Sequence, residues 1–482
     1  MTENNKPTPS LLEPKSQGGD TAETGFDFQT CLILCKVPFW LSFEGFDSLI
    51  REGVADFEAK FFSPAEGITR EALEAKNHHV TPKEFWAEVE RFKELDEGSP
   101  GSFSKFTISC AGISDELKPL INGLRRIRDP QPFYDASSGV TVNSYADYVE
   151  RVGKLEKDVE MAEFLYNKIQ IEHNWNLISE EETANGMFQS QLQRHLPEYE
   201  DLPVKEIPNI FRSLLALVRS HKSRPITRLQ IEKTMQSAIS GKYRLEPKQV
   251  VISTEMEEVT KSEKALQFEW VSFFGGAERV YPSEEEWNSK LVPQLYETSK
   301  WLKSQRNTPR IELNGNRRIS AAIAFGKVFS AVAGYTLDMN YRGERWSTDD
   351  HADSQTPNYT LTPTYVEGAG DRLLVTIGIM KENLASEVQT FTQNNDLSHL
   401  PKLHLFSSDP IVSAKQANAT VEKIKREIAI VAGKIGAKQI DLFFAGPTHL
   451  ALFLGYRSNA LPPIQCYEWV SNNKYISTCF LK

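Results

Sequence analysis

Cysteine is scarce in this chain of 482 residues: there are five, at Cys31, Cys35, Cys110, Cys466 and Cys479. Only the first two lie close, four positions apart, so neither paired CxxC motifs nor another zinc-binding spacing is present. No apolar run reaches the length that spans a bilayer, and no basic-then-apolar leader opens the sequence. The expected setting is therefore cytoplasmic, away from any membrane, with reduced and mostly buried thiols. Neither GxGxxG nor a P-loop signature occurs, which argues against a dinucleotide coenzyme or ATP hydrolysis. A net charge of −10 argues against a protein that coats nucleic acid along its whole surface. Local basic clusters do exist, in GLRRIRD (Arg125, Arg126, Arg128) and RSHKSRPITR (Arg219, Lys222, Arg224, Arg228), and such runs usually line a solvated face.

What is present describes an ordinary globular α/β protein, 25% charged and 40% hydrophobic, long enough for two or three domains. Residues 1–20 are polar and rich in Pro and Gly, and are expected to form a flexible tail. A first domain is expected over 21–142. It opens with a helix from 22 to about 45 that ends near Pro38, followed by strands around 41–47, 53–62 and 71–77. The turn SPAEG (63–67) makes the last two a hairpin. A helix capped by Thr81 with Pro82 at its first position follows, then a strand over 102–110. Residues 143–245 have apolar side chains at three- and four-residue spacing and are expected to form a helical connector domain.

Over 246–482 strands and helices alternate, which implies parallel sheets flanked by helices. Two series are visible, and they echo each other. IELNGNRRISAAIAFG (311–326) lies over IDLFFAGPTHLALFLG (440–455) without a gap, at an offset of 129 residues throughout. Ile311 falls on Ile440, Ala322 on Ala451 and Gly326 on Gly455. Because both segments sit at the same strand–turn–helix step, two fused Rossmann-like halves are expected.

The sharpest chemical pattern is Glu-x-Lys, which occurs twice: Glu58 with Lys60 in VADFEAKFF, and Glu74 with Lys76 in REALEAKNHHVTP. A strand sends alternate side chains to one face, so each pair shares a face. If the two strands pair, Asp56 on one and Glu74 with Lys76 on the other converge. Two carboxylates can hold Mg²⁺ or Mn²⁺, and a lysine beside them can orient water and offset developing negative charge. His78 and His79 lack further ligands at zinc spacing and are expected at the surface or against substrate.

The order helix, three strands, helix, strand, with these residues, resembles the core of PD-(D/E)xK restriction-type nucleases. That resemblance implies a restriction-endonuclease-like fold. It assigns Asp56 and Glu74 as metal ligands and Asp56, Glu74 and Lys76 as catalytic, which makes Glu58 and Lys60 a decoy on the exposed or rim part of their strand. Ala55 stands where the family pattern has proline. The segment GDTAETGFDFQTCLIL resembles the opening helix of nucleases found at the N-terminus of bacterial defence proteins, through Gly25, Phe26, Phe28 and Gln29. This brings Gln29 toward the site, with Glu52 as an auxiliary acid.

In the C-terminal region, the turns NGNRR and AGPTH precede helices whose free N–H groups suit phosphate. Gly315, Asn316, Arg317 and Arg318 in the first, and Gly446, Pro447, Thr448 and His449 in the second, are the candidate ligand-binding residues. Trp346 is a candidate for stacking on a base, the alternative being a buried core tryptophan. The segment DLFFAGPTHLALFLGYRSNALPPIQCYEW resembles the closing part of SAVED domains, which are fusions of two CARF-like sensor units. Together the two ends resemble a CBASS anti-phage effector. The resemblance implies activation by a cyclic tri- or oligonucleotide made by a partner nucleotidyltransferase, self-oligomerisation through the sensor, and cleavage of double-stranded DNA with little sequence preference. The alternatives are a ligand-binding regulator without catalysis and a modification-dependent restriction enzyme.

Overall fold

The computed structural model describes residues 14–128, 133–134, 138–175, 178–243, 245, 248–256, 262, 264–306, 308–471 and 474–482, with side chains from Asp27 onward. The chain divides into two compact units, Met1–Glu246 and Pro247–Lys482.

The first unit opens with α1 (Pro14–Ser42), then β1 (Phe46–Arg51), β2 (Phe57–Ser63), β3 (Gly67–Val80), α2 (Pro82–Gly98) and β4 (Phe103–Ile113). It continues through α3 (Lys118–Arg128), α4 (Gly139–Gly153), α5 (Val159–Lys168), β5 (Ile169–Glu172), α6 (Glu181–His195), α7 (Ile207–Ser220), β6 (Ile226–Thr227) and α8 (Arg228–Ala238). The strands form one sheet in the order β5-β4-β3-β2-β1-β6. β1, β2 and β3 run antiparallel, and β3, β4 and β5 run parallel. Period-two alternation sends Phe57, Ala59, Leu73 and Ala75 into a core shared with α1, α6 and α7. Ala72, Phe106 and Ile108 enter a second core with α2, α3 and α5 on the opposite face. The capping box expected for α2 is present: Thr81 and Glu84 satisfy each other's backbone N–H groups, with Pro82 in the first turn.

Three expectations change. Of the expected tail, residues 1–13 lie outside the described residues and 14–20 belong to α1. That helix also runs through Pro38 to Ser42, because burial of Val37, Trp40 and Leu41 offsets the hydrogen bond that proline removes, and the first strand starts later, at Phe46. Most importantly, 143–245 is no separate connector. β5 pairs with β4 and β6 with β1, while the apolar faces of α6 and α7 close the core around α1.

The second unit holds two sheets. The first contains β7 (Val250–Glu255), β8 (Leu266–Glu269), β9 (Arg310–Gly315), β10 (Thr336–Tyr341) and β11 (Glu344–Ser347), in the order β11-β10-β9-β7-β8. Its helices are the short α9 (Val271–Phe274) and α10 (Glu284–Glu286), then α11 (Val292–Gln305) and α12 (Ile319–Val328). The other sheet contains β12 (Thr362–Val366), β13 (Arg372–Ile379), β14 (Lys402–Ser407), β15 (Gln439–Ala445), β16 (Ile464–Ser471) and β17 (Lys474–Leu481), in the order β12-β14-β13-β15-β16-β17. Its helices are α13 (Leu384–Asn394), α14 (Ala414–Ile435) and α15 (Thr448–Arg457). Both sheets have parallel centres with an antiparallel edge strand, β11 in one and β12 and β17 in the other.

The sequence echo has a physical basis. α12 and α15 cross, and a Cβ on Gly326 would lie 2.1 Å from the carbonyl oxygen of Leu452. A Cβ on Gly455 would lie 2.1 Å from that of Ile323. Ile323 and Leu452 are themselves matched at the same offset as the glycines, so each half presents the same glycine to the same backbone position of the other.

Candidate functional site

Two clusters follow from this fold. The first lies on the α2 side of the hairpin. The β2–β3 register runs from Ser63 opposite Gly67 to Phe57 opposite Leu73, and one further step sets Asp56 opposite Glu74. Asp56 Oδ2 accepts the backbone N–H of Ala75 at 2.8 Å, which fixes the residue against β3. Lys76 Nζ lies 3.0 Å from Glu74 Oε1 and 2.8 Å from Glu88 Oε1, the latter reaching down from α2. Arg91, one turn further along α2, reaches Glu74 Oε2 at 2.7 Å and Glu88 Oε2 at 2.9 Å.

The electrostatics reflect crowding of like charge. Burial, reinforced by Glu74, pushes the Asp56 carboxyl up to about 6. Burial opposes ionisation of Glu88 as well, but Lys76 and Arg91 outweigh it and hold that carboxyl below its ordinary range. The same pairing raises Lys76 against the cost of its burial, so the ammonium stays charged. Among the described residues no group of three or more His, Cys, Asp and Glu is disposed around one metal position. Two carboxylates fit Mg²⁺, which keeps several waters and completes its octahedron with substrate phosphate.

The structure therefore brings Asp56, Glu74 and Lys76 together. It does not give Gln29 a hydrogen bond to any of them: Gln29 is half-buried on α1, which packs on the opposite face of the sheet. Glu58 is not at an exposed rim, as expected, but buried, accepting the Val54 N–H at 2.8 Å and bracing the segment before Asp56. Glu52 is engaged by Arg51 at 3.4 Å and Lys222 at 3.2 Å. His78 and His79 are exposed at the end of β3, where His78 Nε2 lies 3.0 Å from Glu84 Oε1. Glu88 and Arg91 were missed by sequence reasoning. Their signal is positional: they flank the buried Phe85, Val89 and Phe92 on the helix face that docks on the sheet.

The second cluster surrounds the echoed turns. Gly315 has φ +81°, and a Cβ there would meet the Thr254 carbonyl oxygen at 2.4 Å, so packing of β9 on β7 already demands glycine. Asn316 is exposed. Arg317 departs from the expected phosphate contact. Its side chain is 9% exposed, donates to the Asn314 carbonyl and lies over Phe325, and burial lowers its guanidinium to about 10. Arg318 donates to the Val280 carbonyl and sits against Tyr281 and Phe274. Glu468, on β16, faces Arg318 and Ser320, and burial pushes its carboxyl up to about 7.

At the second turn Gly446, Pro447 and Thr448 are half-buried, and α15 starts without a side-chain cap. His449 is buried and packs on Tyr341 and Trp346, with ring centroids at 4.4 and 4.3 Å. Trp346 is 3% exposed, so a base can meet at most an edge of this group and not its open face. Burial, with Arg342 nearby, lowers His449 to about 4 and keeps the ring neutral. Its Nε2 has no partner among the described residues. Tyr341 and Arg342 were the residues sequence reasoning missed here; the signal was their place at the end of the strand paired with Trp346.

No described helix is long and apolar enough to cross a membrane. Residues 294–481 match the family model for SAVED, the "SMODS-associated and fused to various effectors sensor domain". The whole chain is similar to CD-NTase-associated protein 4 of Acinetobacter sp. (strain ATCC 27244 / 9458), 28% identical over 98% of this chain and 99% of that protein. It is also 26% identical to CD-NTase-associated protein 4 of Moraxella osloensis, over 98% of this chain and 99% of that one. Among solved structures, the Acinetobacter baumannii Cap4 SAVED/CARF-domain containing receptor with the cyclic trinucleotide 3'3'3'-cAAA superposes with a TM-score of 0.81 at 25% identity. That match covers 95% of this chain and 99% of the receptor. The second unit thus matches the SAVED model over most of its length, in a chain similar from end to end to Cap4 proteins.

Proposed function

We propose that this chain is a CBASS anti-phage effector whose C-terminal unit binds a cyclic oligonucleotide and whose N-terminal unit is a restriction-type, metal-dependent endonuclease acting on double-stranded DNA. The observation that carries the nuclease half is the meeting of Asp56, Glu74 and Lys76 on one face of the hairpin. The sensor half is supported by the SAVED match and by the likeness to a receptor described with a cyclic trinucleotide.

Asp56 and Glu74 would hold Mg²⁺ or Mn²⁺, which supplies Lewis acidity and a hydroxide at neutral pH. Lys76 lies one hydrogen bond from Glu74, where it orients an attacking water and offsets charge on the phosphorane-like transition state. Asp56 is clamped by the Ala75 N–H, which keeps one carboxylate oxygen in place and leaves the other to bind the ion. The cyclic oligonucleotide would come from a partner nucleotidyltransferase, and ligand-driven assembly through the sensor would concentrate nuclease units on DNA. A net charge of −10 suits an enzyme that binds DNA poorly until it assembles.

The test mixes the full-length protein with plasmid DNA and Mg²⁺, with and without 3'3'3'-cAAA or a panel of other cyclic oligonucleotides. The expected result is cleavage only with an active ligand, stopped by EDTA. Ligand-independent cutting would sink the sensor reading, and undiminished cutting in excess chelator would sink the two-carboxylate mechanism.

A further inference from the structure

Resting on the metal-dependent reading above, we infer that Arg91 is a resident cation that guards the hairpin carboxylates and must release Glu74 before a divalent metal is held there. All three arms of its guanidinium are engaged. Nη2 donates to Glu74 Oε2 at 2.7 Å, Nε to Glu88 Oε2 at 2.9 Å, and Nη1 to the Val54 carbonyl at 2.9 Å. The other oxygen of Glu74 receives Lys76 Nζ at 3.0 Å. Both oxygens of a proposed metal ligand are therefore already bound to cations. A further cation arriving at Glu74 meets a like charge one hydrogen bond away.

Charge counting points the same way. With Arg91 in place, three carboxylates (Asp56, Glu74, Glu88) face two cations (Lys76, Arg91), a net −1 when all are ionised. With Arg91 withdrawn the group carries −2, which one divalent ion neutralises. Withdrawal does not require unfolding. The Arg91 side chain is 35% exposed, so its head can swing to solvent at the cost of the guanidinium's contact with the Phe92 ring, whose centroid lies 4.9 Å away. Glu88 would keep its hydrogen bond to Lys76 at 2.8 Å, holding the lysine while Glu74 turns to the metal. The Val54 contact also joins Arg91 to the segment that leads into Asp56. Arg91 is thus a positioning residue that sets metal affinity, and α2 is the element through which that affinity is adjusted.

The readout is Mn²⁺ binding to the full-length protein without DNA, followed by the loss of the free-ion paramagnetic resonance signal. Arg91→Gln should bind Mn²⁺ about tenfold more tightly than wild type, about 1.4 kcal/mol. Arg91→Lys, which keeps the charge, should gain less than about threefold, since one ammonium cannot span three acceptors. Arg91→Met keeps an unbranched apolar stem without the charged head and should match Arg91→Gln if the latter folds poorly. Adding Glu74→Gln to Arg91→Gln should erase the gain. Equal Mn²⁺ affinity in wild type, Arg91→Gln and Arg91→Met would overturn the guard and leave the metal-dependent reading standing. No Mn²⁺ bound by any form, together with cleavage that persists in EDTA, would overturn both.

Discussion

Replacing Lys76 by alanine separates catalysis from folding, and the structure sets the size of each effect. The ammonium makes two charged hydrogen bonds, to Glu74 and Glu88, with its side chain 22% exposed. Ion pairs this close to solvent are worth up to about 1 kcal/mol each, so the pair sets a loss of at most about 2 kcal/mol. Arg91 remains to screen the same two carboxylates, which reduces that loss further. A preorganised donor aimed at transition-state charge is worth about 10²–10³ in rate, or about 2.7–4 kcal/mol. Lys76→Ala should therefore cut plasmid DNA about 10²–10³-fold more slowly at saturating cyclic oligonucleotide and Mg²⁺, with a modest fall in thermal midpoint. Lys60→Ala is the paired control, because Lys60 lies further along β2 with Arg70 as its cross-strand neighbour. It should cut within about twofold of wild type, the scatter of a surface change. The assay is initial linearisation rate beside thermal unfolding and ligand affinity. Full activity in Lys76→Ala with an inactive, folded Lys60→Ala would refute the assignment of the two Glu-Ala-Lys copies.

Three other outcomes follow from particular contacts. Asp56, raised to about 6 by burial and Glu74, stabilises the native state only while protonated, a contribution lost as pH rises through about 6. In metal-free protein, Asp56→Asn should gain stability over wild type between about pH 4 and about pH 7, and a pH-independent difference in denaturant melts would contradict this. Gly455→Ala places a carbon 2.1 Å from the Ile323 carbonyl oxygen, so the crossing helices must separate, at a cost of about 1–3 kcal/mol or more. Gly326→Ala should cost a similar amount, and a neutral result in calorimetry for either would deny the reciprocal crossing. Arg342, exposed at the end of β10 and close enough to lower His449, should contribute to ligand affinity without supporting the fold. Arg342→Glu should weaken cyclic-oligonucleotide binding by about one to two decades at unchanged thermal midpoint. Unchanged affinity would move the phosphate contact elsewhere.

How far the sequence disclosed all this depended on the range of each interaction. The hairpin was legible because SPAEG is a turn and alternation fixes the faces, so Glu74 and Lys76 could be paired with Asp56 from local pattern alone. Glu88 and Arg91 were not, since an i,i+3 acid–base pair on a helix normally marks a solvated face. Only the docking of α2 on β3 turns that pair inward. The strands β5 and β6, of four and two residues, carry too little pattern to announce themselves, and without them 143–245 resembled a connector. Arg317 was misjudged for a related reason. A turn containing two arginines suggests anion binding, yet the first one is buried over Phe325 and bonded to the Asn314 carbonyl.

The two echoed halves differ in what their turns now hold, and the difference constrains the sensor. Both kept what the helix crossing requires: Gly326 and Gly455, each against the partner's matched backbone carbonyl. Neither α12 nor α15 has a side-chain cap, so each starts with free backbone N–H groups among the described residues. At α12, however, the Glu468 carboxylate and Arg318 already face the first turn, and a phosphate arriving there would meet an acidic group. Among the described residues no carboxylate is bonded to the first turn of α15; a neutral His449 with an unpartnered nitrogen and the nearby Arg342 stand there instead. Helix dipole and arginine both favour an anion at this second turn. If a cyclic ligand binds across these turns as proposed, its phosphate is expected at α15 and not at α12.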